Sequence, residues 1–286
     1  MLKSVPFAIA FLVSVFIGNA QSLEFGVIGG VCNYMGDLSD FKLRNDQYQP
    51  AGGMMIRFSP DRYVTLKGSF LYGTIGGADS LSNKAEHRRR NLSFKSTIYD
   101  FTVQAEWNLA GFCFGDYNKK YAFSPYAGVG ISVFKFNPQA HYKGKWYELQ
   151  PLKTEGQGTT LFQDRRTYAL TQFAMPLSLG FKWRWTDYVN FGMELSYRVT
   201  FTDYLDDVSS TYVDPDYLRQ NTSGDNPAAE LSDRSGEVNN GENVGLDADG
   251  KGLTRGKKNT PTDFFMFMTA NICYRFPLPG VKCTNF

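Results

Sequence analysis

Histidine is scarce in this sequence, and long apolar runs are missing after its first twenty residues. Only two histidines, His87 and His141, occur among 286 residues. No apolar run beyond the N-terminus reaches the length of about 20 residues that a transmembrane helix needs. The mean hydropathy of -0.33 is ordinary for a water-soluble protein. A helical membrane protein is therefore excluded.

Cysteine is also sparse, and the formal charge is nearly balanced. The four cysteines include no C-x-x-C pair, so with two histidines the sequence predicts no structural zinc site. The net charge of +2 is too small to indicate the basic surface that is typical of a nucleic-acid-binding protein. We expect no nucleic-acid partner, no bound metal, no cofactor and no small-molecule substrate.

The beginning of the chain is typical of a secretory signal. Lys3 precedes an apolar run over residues 5–17, and the small residues Gly18 and Ala20 follow. This order matches the charged region, apolar region and cleavage site of a signal peptide. We predict a signal peptide over 1–20 and export of the mature chain, with an uncleaved membrane anchor as the alternative.

Aromatic residues are abundant, and they alternate with polar ones. Phenylalanine, tyrosine and tryptophan make up 16% of the residues. Between Tyr188 and Thr200 every second residue is apolar and every other one is polar or small. Side chains on a strand point to opposite faces at each step, so this segment has one apolar and one polar face. Alternation alone fits either a soluble sandwich or a membrane barrel.

Eight segments alternate in this way, and their connections alternate in length. The connections near Pro60, Gly115 and Trp185 are short, whereas those near Asp40, Glu86, Lys145 and Ser223 are long. Outer-membrane barrels have short periplasmic turns and long outer loops, whereas a soluble sandwich has no reason for this sorting. The predicted strands are about 23–34, 51–58, 64–72, 99–109, 121–136, 172–183, 188–200 and 263–276.

The fold class predicted is all-β, an eight-stranded antiparallel transmembrane β-barrel. After the signal peptide we assign 21–276 to an outer-membrane barrel and 277–286 to a periplasmic tail. The barrel includes a long polar outer loop over 201–262, which we expect to be too polar to hold a core of its own. We therefore expect the whole outer face of the barrel to contact outer-membrane lipid, which is a partner in this sense.

The predicted register turns charged residues of both signs into the barrel. An eight-stranded barrel has an interior just wide enough for side chains to fill, so we expect paired charges and a plugged interior; an ion or proton pathway is the alternative. The predicted interior charges are Glu24, Arg57, Lys67, Asp100, Glu106, Lys182, Glu194, Arg198 and Arg275.

The same topology sorts the cysteines. Cys113 falls in a predicted periplasmic turn and Cys283 in the periplasmic tail, whereas Cys32 and Cys273 fall near opposite ends of their strands. An exported chain folds in an oxidising compartment. We therefore predict a Cys113–Cys283 disulfide.

The predicted outer loops carry charge clusters and both histidines. The cations are compatible with pairing to lipopolysaccharide phosphates or with plain solubility, and the acids with calcium binding or a solvated loop. His87 and His141 share no sequence frame with a serine or aspartate, so we assign no catalytic residue, although an enzyme at the outer rim stays open. The clusters are Arg88, Arg89, Arg90, Lys251, Arg255, Lys257 and Lys258 for the cations, and Asp203, Asp206, Asp207, Asp214 and Asp216 for the acids.

Three loop segments resemble the PorG family, outer-membrane barrels of the type IX secretion system of the Bacteroidota. They are Tyr34-Met35-Gly36-Asp37-Leu38, then Phe136-Asn137-Pro138 with Trp146-Tyr147-Glu148 and Thr154 to Gly158, then Phe201-Thr202-Asp203-Tyr204-Leu205-Asp206-Asp207-Val208. The resemblance covers nearly the whole mature chain.

The resemblance implies a non-enzymatic part of a secretion and gliding machinery. It implies a small barrel in the outer membrane that contacts the periplasmic ring formed by a lipoprotein and its partner, PorK and PorN. A stand-alone surface barrel, such as an adhesin or an envelope-stabilising protein, is the competing hypothesis.

Overall fold

Eight long antiparallel strands close into a barrel in the computed structural model, which describes residues 22–39, 47–112, 122–221, 226–256 and 263–276. The ring closes because the first strand pairs with the second and also with the last, and the third pairs with the fourth. The predicted fold class is confirmed. The wall strands are β1 Ser22–Met35, β2 Gln49–Ser59, β3 Val64–Ala78, β4 Ser93–Asn108, β5 Phe123–Lys135, β8 Thr171–Arg184, β9 Val189–Thr200 and β10 Phe264–Phe276.

Among the described residues, the connections contain two further strands and four short α-helices. Strands β6 Pro138–Tyr142 and β7 Lys145–Glu148 form a hairpin after β5. The helices are α1 Ala85–Arg90, α2 Leu149–Leu152, α3 Pro215–Asn221 and α4 Ala228–Ser232. No helix in the described ranges has the length and apolar character needed to cross a membrane.

The outside of the wall is apolar. On β4, Phe101 and Trp107 are 56% and 64% exposed. The residues that precede them, Asp100 and Glu106, are each at most 1% exposed. Apolar surface in water costs free energy in proportion to its area, about 25 cal/mol per Å². A continuous apolar wall is stable only against lipid, so the closed barrel is a transmembrane one.

Aromatic side chains border this wall at both ends. We call the end with short connections the turn end and the other the loop end. Trp183 lies at the turn end beside Phe191. Tyr72 and Tyr99 lie 5.3 Å apart between ring centroids toward the loop end. Aromatic rings favour the two membrane interfaces, so these rings indicate the height of the lipid-covered band.

Strands β3 and β4 extend further than predicted. Their pairing continues to Ala78 opposite Ser93, so the long connection expected near Glu86 is shortened at both ends. Along this extension the inward residues Ile75, Phe94 and Ile98 are apolar, whereas outward residues such as Thr74 and Lys95 are polar. The sense of the alternation reverses there, which explains why a pattern with apolar residues outward missed the strand ends.

The connections at the loop end fold together into one structure, which we call the loop cap. It comprises the described residues of 36–39, 79–92, 136–170, 201–221, 226–256 and 263. The long connection predicted near Lys145 contains the β6–β7 hairpin and α2. Its buried apolar residues pack with the inward residues of the barrel's loop end.

The expectation that 201–262 holds no core is wrong for its described part. Leu205, Val208 and Leu231 are at most 2% exposed and belong to the same cluster as Phe265 and Phe267 inside the barrel. Val213, Leu218 and Ala229 form a second buried cluster. Sparse apolar residues are enough here because the barrel supplies the rest of the core.

Candidate functional site in the loop cap and the barrel interior

Residues from two of the three motif segments meet at a buried group of acids in the loop cap. The Tyr34 hydroxyl lies 2.6 Å from Asp206 Oδ2 and 3.1 Å from Asp263 Oδ1. Backbone amides hold the other oxygens, Leu205 N–H on Asp263 and Val208 N–H on Asp206. Strand β1, the loop after β9 and the start of β10 are thereby joined at one phenol.

Burial keeps this pair of acids from ionising together. Desolvation, and then the charge of Asp37, raise the pKa of Asp206 well above its ordinary value. Desolvation followed by repulsion from Asp206 and Asp203 does the same to the pKa of Asp263. A carboxyl in low dielectric next to another carboxyl holds its proton. This buried position therefore favours the protonated forms of Asp206 and Asp263 more than water does.

Asp207 occupies a second buried position, bound by Thr154 from the motif segment after β7. Thr154 Oγ1 and Tyr168 Oη both donate to its carboxylate, the latter at 2.7 Å. Desolvation raises the pKa of Asp207 to about 6, although Arg255 opposes the shift. The Tyr168 ring stacks on Tyr204 at 4.8 Å between centroids. The second and third motif segments thus meet here.

Arg255 links these segments to a further acid. Its Nη1 lies 3.1 Å from Glu155 Oε1 and donates to the Asp207 carbonyl at 2.6 Å. Glu155 also accepts from Ser209 and Ser210. Arg255 and Glu155 are almost fully buried. A buried pair with this many hydrogen bonds fixes the relative positions of the loops it joins.

Arg90 provides the last link in the cap. It holds Asp79 with two bonds of 2.7 Å and donates to the Asp37 carbonyl at 2.9 Å and to the Arg255 carbonyl. Of the predicted surface cations, Arg90 and Arg255 therefore form contacts inside the cap. Arg88 and Arg89 remain exposed.

The predicted acidic cluster also contains both buried and exposed residues. Asp206 and Asp207 are buried, which contradicts a fully solvated loop, while Asp214 and Asp216 are exposed and Asp203 is half-buried. Desolvation raises the pKa of Asp203 to about 6. Within the described ranges, no three His, Cys, Asp or Glu residues are arranged to hold a metal ion.

The remaining motif residues shape the cap locally. A side chain at Gly36 would lie 2.0 Å from Asp263 Oδ1, so the close approach requires glycine. Asn137 donates from Nδ2 to Glu148 at 2.8 Å, joining the two ends of the hairpin. Thr202 accepts from the Tyr204 amide at 3.3 Å. Pro138 and Tyr147 are covered, whereas Trp146 is 54% exposed.

The interior of the barrel toward the turn end is filled by a charge network around Glu106. Its carboxylate lies 3.3 Å from Arg57, 3.4 Å from Lys67 and 2.7 Å from Lys182. Lys67 also contacts Glu194, which accepts from Tyr126 Oη at 2.7 Å. These groups come from six of the eight wall strands, so the network spans the barrel's cross-section.

Other predicted interior charges lie above and below this network. Arg198 holds Asp100 with bonds of 3.1 and 3.2 Å, closer to the loop end. Glu24 accepts from Asn190 at 2.8 Å near the turn end. Arg275 pairs with Glu24 in the strand register and is half-buried.

The histidines and cysteines have local surroundings. His87 Nδ1 lies 3.2 Å from Ser82 Oγ, which also accepts from the Lys84 amide, a bond that stabilises the turn before α1. His141 packs edge-on against Trp146. Cys32 and Cys273 are buried free thiols. Cys113 and Cys283 lie outside the described residues, as do the signal peptide and the tail.

Sequence reasoning missed several residues that build the cap, namely Asp79, Tyr168 and Asp263. Asp263 was treated as the first residue of a wall strand, and Asp79 as part of a polar loop. No local pattern distinguishes them, because their partners lie far away in the sequence.

A family model described as a domain of unknown function, DUF6089, matches residues 3–222. We found no curated protein with detectable sequence similarity to the chain. Similar solved structures include the N-terminal barrel domain of Pseudomonas aeruginosa OprF, with 10% identity over 90% of this chain and 98% of that one and a TM-score of 0.36. Neisserial surface protein A has 8% identity over 89% and 96%, with a TM-score of 0.39. Yersinia pestis Ail, the attachment invasion locus protein, has 10% identity over 90% and 99%, with a TM-score of 0.38.

Proposed function

This chain belongs to the DUF6089 family, and we propose that it is a non-enzymatic outer-membrane component of a type IX secretion system, which anchors or positions the periplasmic ring. Its partners in this role are outer-membrane lipid and the ring lipoprotein with its associated protein. The proposal joins the resemblance of the three loop segments to the PorG family with the architecture of the barrel.

The observation that carries the proposal is the meeting of those segments in space. Tyr34 contacts Asp206, and Thr154 contacts Asp207. Tyr34, Thr154, Asp206 and Asp207, which belong to these segments, are thus joined in one buried unit. A shared three-dimensional unit is what a family relationship predicts.

The filled interior supports an anchoring role over transport. Arg57, Lys182 and Glu106 are at most 1% exposed and bonded to one another across the barrel. A cross-section filled by side chains leaves no path for a folded protein cargo. Cargo then passes elsewhere, and this barrel holds other components in place.

The placement in the envelope follows from the loop lengths. Barrels of this type keep short turns on the periplasmic side and long loops outside. The turn end therefore faces the periplasm, where Trp185 is 63% exposed in the connection between β8 and β9. An exposed aromatic residue is a favourable anchor for a protein partner.

Deletion of the gene and crosslinking test this role together. Deletion is expected to stop export of type IX cargo while leaving resistance to detergents unchanged. Crosslinking in native membranes is expected to recover ring components with the wild type and with Trp146→Ala, and less of them with Trp185→Ala. Normal cargo export in the deletion strain would refute the assignment.

A stand-alone surface barrel is the second candidate, and the position of the loop cap favours it. Most of the described chain outside the wall lies at the loop end, opposite the side where a periplasmic ring would bind. For this role, crosslinking recovers no ring components and deletion weakens attachment or envelope integrity. The two results separate the candidates.

A further inference from the structure

Two lysines face outward at the loop end of the wall, on the neighbouring strands β4 and β5. Lys95 and Lys135 are both exposed. Lys135 pairs with Tyr99, four residues along β4 from Lys95. With a rise of about 3.3 Å per residue, the two Cα atoms are roughly 13 Å apart along the strands. Long lysine side chains at this height extend their ammonium groups toward the membrane surface.

A recess lies next to Lys95 at the loop-end edge of β3 and β4. Its volume is about 280 Å³, and its lining includes Ile75, Gly76, Ala78, Phe94, Lys95 and Trp146. Gly76 is directly opposite Lys95 in the pairing of β3 with β4, so no side chain from β3 fills the space beside the lysine. The Trp146 ring lies 5.7 Å from Lys95 Nζ and forms one wall.

This arrangement is confined to one side of the barrel. The outward residues at the loop end of β8, β9 and β10 are Thr171, Phe173, Val199 and Phe264, none of which is charged. Glu148 shares the outward face with Lys95 through Gln139, and Asn137 binds its carboxylate. Lys95 and Lys135 leave this sector with an excess of positive charge at the edge of the lipid-covered band.

We propose that this sector is a binding site for the phosphate-bearing headgroup of an outer-leaflet lipid. The two ammonium groups pair with the phosphate, and an anionic headgroup gains about 1 kcal/mol from each basic residue at a membrane surface. Trp146 packs against the region between headgroup and chain, where its ring is most favourably placed. The recess is near the lower limit of about 300 Å³ for ligand pockets, so it takes part of one lipid molecule.

Membrane position favours a lipid over free phosphate as the source of that group. The lysines border an apolar wall that already contacts acyl chains, and a tethered headgroup arrives there at high effective concentration. The site goes beyond the secretion role and does not depend on it, because the lipid-facing wall is a property of the barrel itself.

Native mass spectrometry of the detergent-solubilised mature protein tests the proposal. The probes are phosphatidic acid and diacylglycerol with the same acyl chains, which differ only in the phosphate, with inorganic phosphate as competitor. The test variant is K95Q/K135Q, and the conservative variant is K95R/K135R. A control with the same charge loss is R166Q/K251Q, at exposed positions in the loop cap.

Wild type is expected to bind phosphatidic acid in preference to diacylglycerol, with little competition from inorganic phosphate. Affinity is expected to fall about fivefold per lysine removed, hence about 25-fold in K95Q/K135Q, and to stay unchanged in R166Q/K251Q and K95R/K135R. Equal binding of the two lipids, equal affinity of K95Q/K135Q and wild type, or displacement by equimolar inorganic phosphate would each overturn the proposal. Folding of each variant is checked by its heat-dependent shift in gel mobility.

Discussion

Tyr34 donates a hydrogen bond of 2.6 Å to Asp206, a residue 172 positions later in the chain. Tyr34 is the penultimate residue of β1, at its loop end, and Asp206 is in the connection between β9 and β10. The phenol lies fully buried between two carboxyls, Asp206 and Asp263. This contact is where the loop cap is attached to the wall.

Tyr34→Phe is expected to loosen the cap while leaving the wall closed. The substitution keeps the ring but leaves buried carboxyl oxygens without their donor, at a cost of about 1–3 kcal/mol. Limited proteolysis of the protein in detergent is expected to cut the loop cap faster than in the wild type. Tyr63→Phe, at an exposed position at the turn end, is the control and should be cut at the wild-type rate. Equal rates for all three proteins would contradict the attachment.

The cap is also expected to loosen as the pH rises. The pKa values of Asp203 and Asp207 are raised from 3.8 to about 6, mainly by desolvation. Groups whose pKa is raised on folding favour the folded state fully below the unfolded pKa and lose that contribution as pH rises through the folded one. Hydrogen exchange in the cap should thus be slower at pH 4 than at pH 7, after correction for intrinsic rates. Asp203→Asn should flatten this dependence, whereas Asp214→Asn should not.

Glu106→Gln is expected to destabilise the barrel strongly. It leaves Arg57, Lys67 and Lys182 around a neutral side chain in a buried space. Removing one partner of a buried ion pair costs about 3–5 kcal/mol. The urea midpoint in detergent should fall well below that of the wild type and of Glu86→Gln, an exposed control on α1. An unchanged midpoint would mean that the network contributes no stability.

Gly130→Ala is expected to disturb the contact between β4 and β5. A Cβ at this position would lie 2.2 Å from the Val103 carbonyl oxygen and 2.6 Å from Gln104 Cα, whereas a Cβ at Gly29 would contact nothing within 4 Å. Backbone atoms cannot yield as a flexible side chain does, so the strands must move apart. Thermal unfolding should begin at a lower temperature in Gly130→Ala and be unchanged in Gly29→Ala. Similar unfolding of both variants would show that the wall absorbs the extra carbon.

The eight wall strands were predictable because lipid and interior impose opposite preferences at every step. Asp100 and Phe101 illustrate this contrast, one buried and polar and the other exposed and apolar. The pattern failed where the inward face becomes apolar and the outward face polar, as at Phe94 and Lys95, because the alternation there runs opposite to that of the lipid-facing wall.

The loop cap was much less predictable than the wall. Leu205 and Val208 stand among polar residues, and their burial depends on Phe265 and other residues inside the barrel. Asp207 was recognised as part of a motif, but its burial depends on Thr154 and Tyr168, which come from another connection. Contacts between residues so far apart in the chain produce no local pattern in a single sequence.

Because β1 pairs with β10, the hydrogen bonds along one edge of the first strand cannot form until the last strand is present. From Leu23 opposite Phe276 to Met35 opposite Phe264, the seam joins the two extremes of the described chain. All eight wall strands must therefore be present before the edges of β1 and β10 can meet. Until then the sheet has two unpaired edges and an apolar face in water, a state that is prone to aggregation.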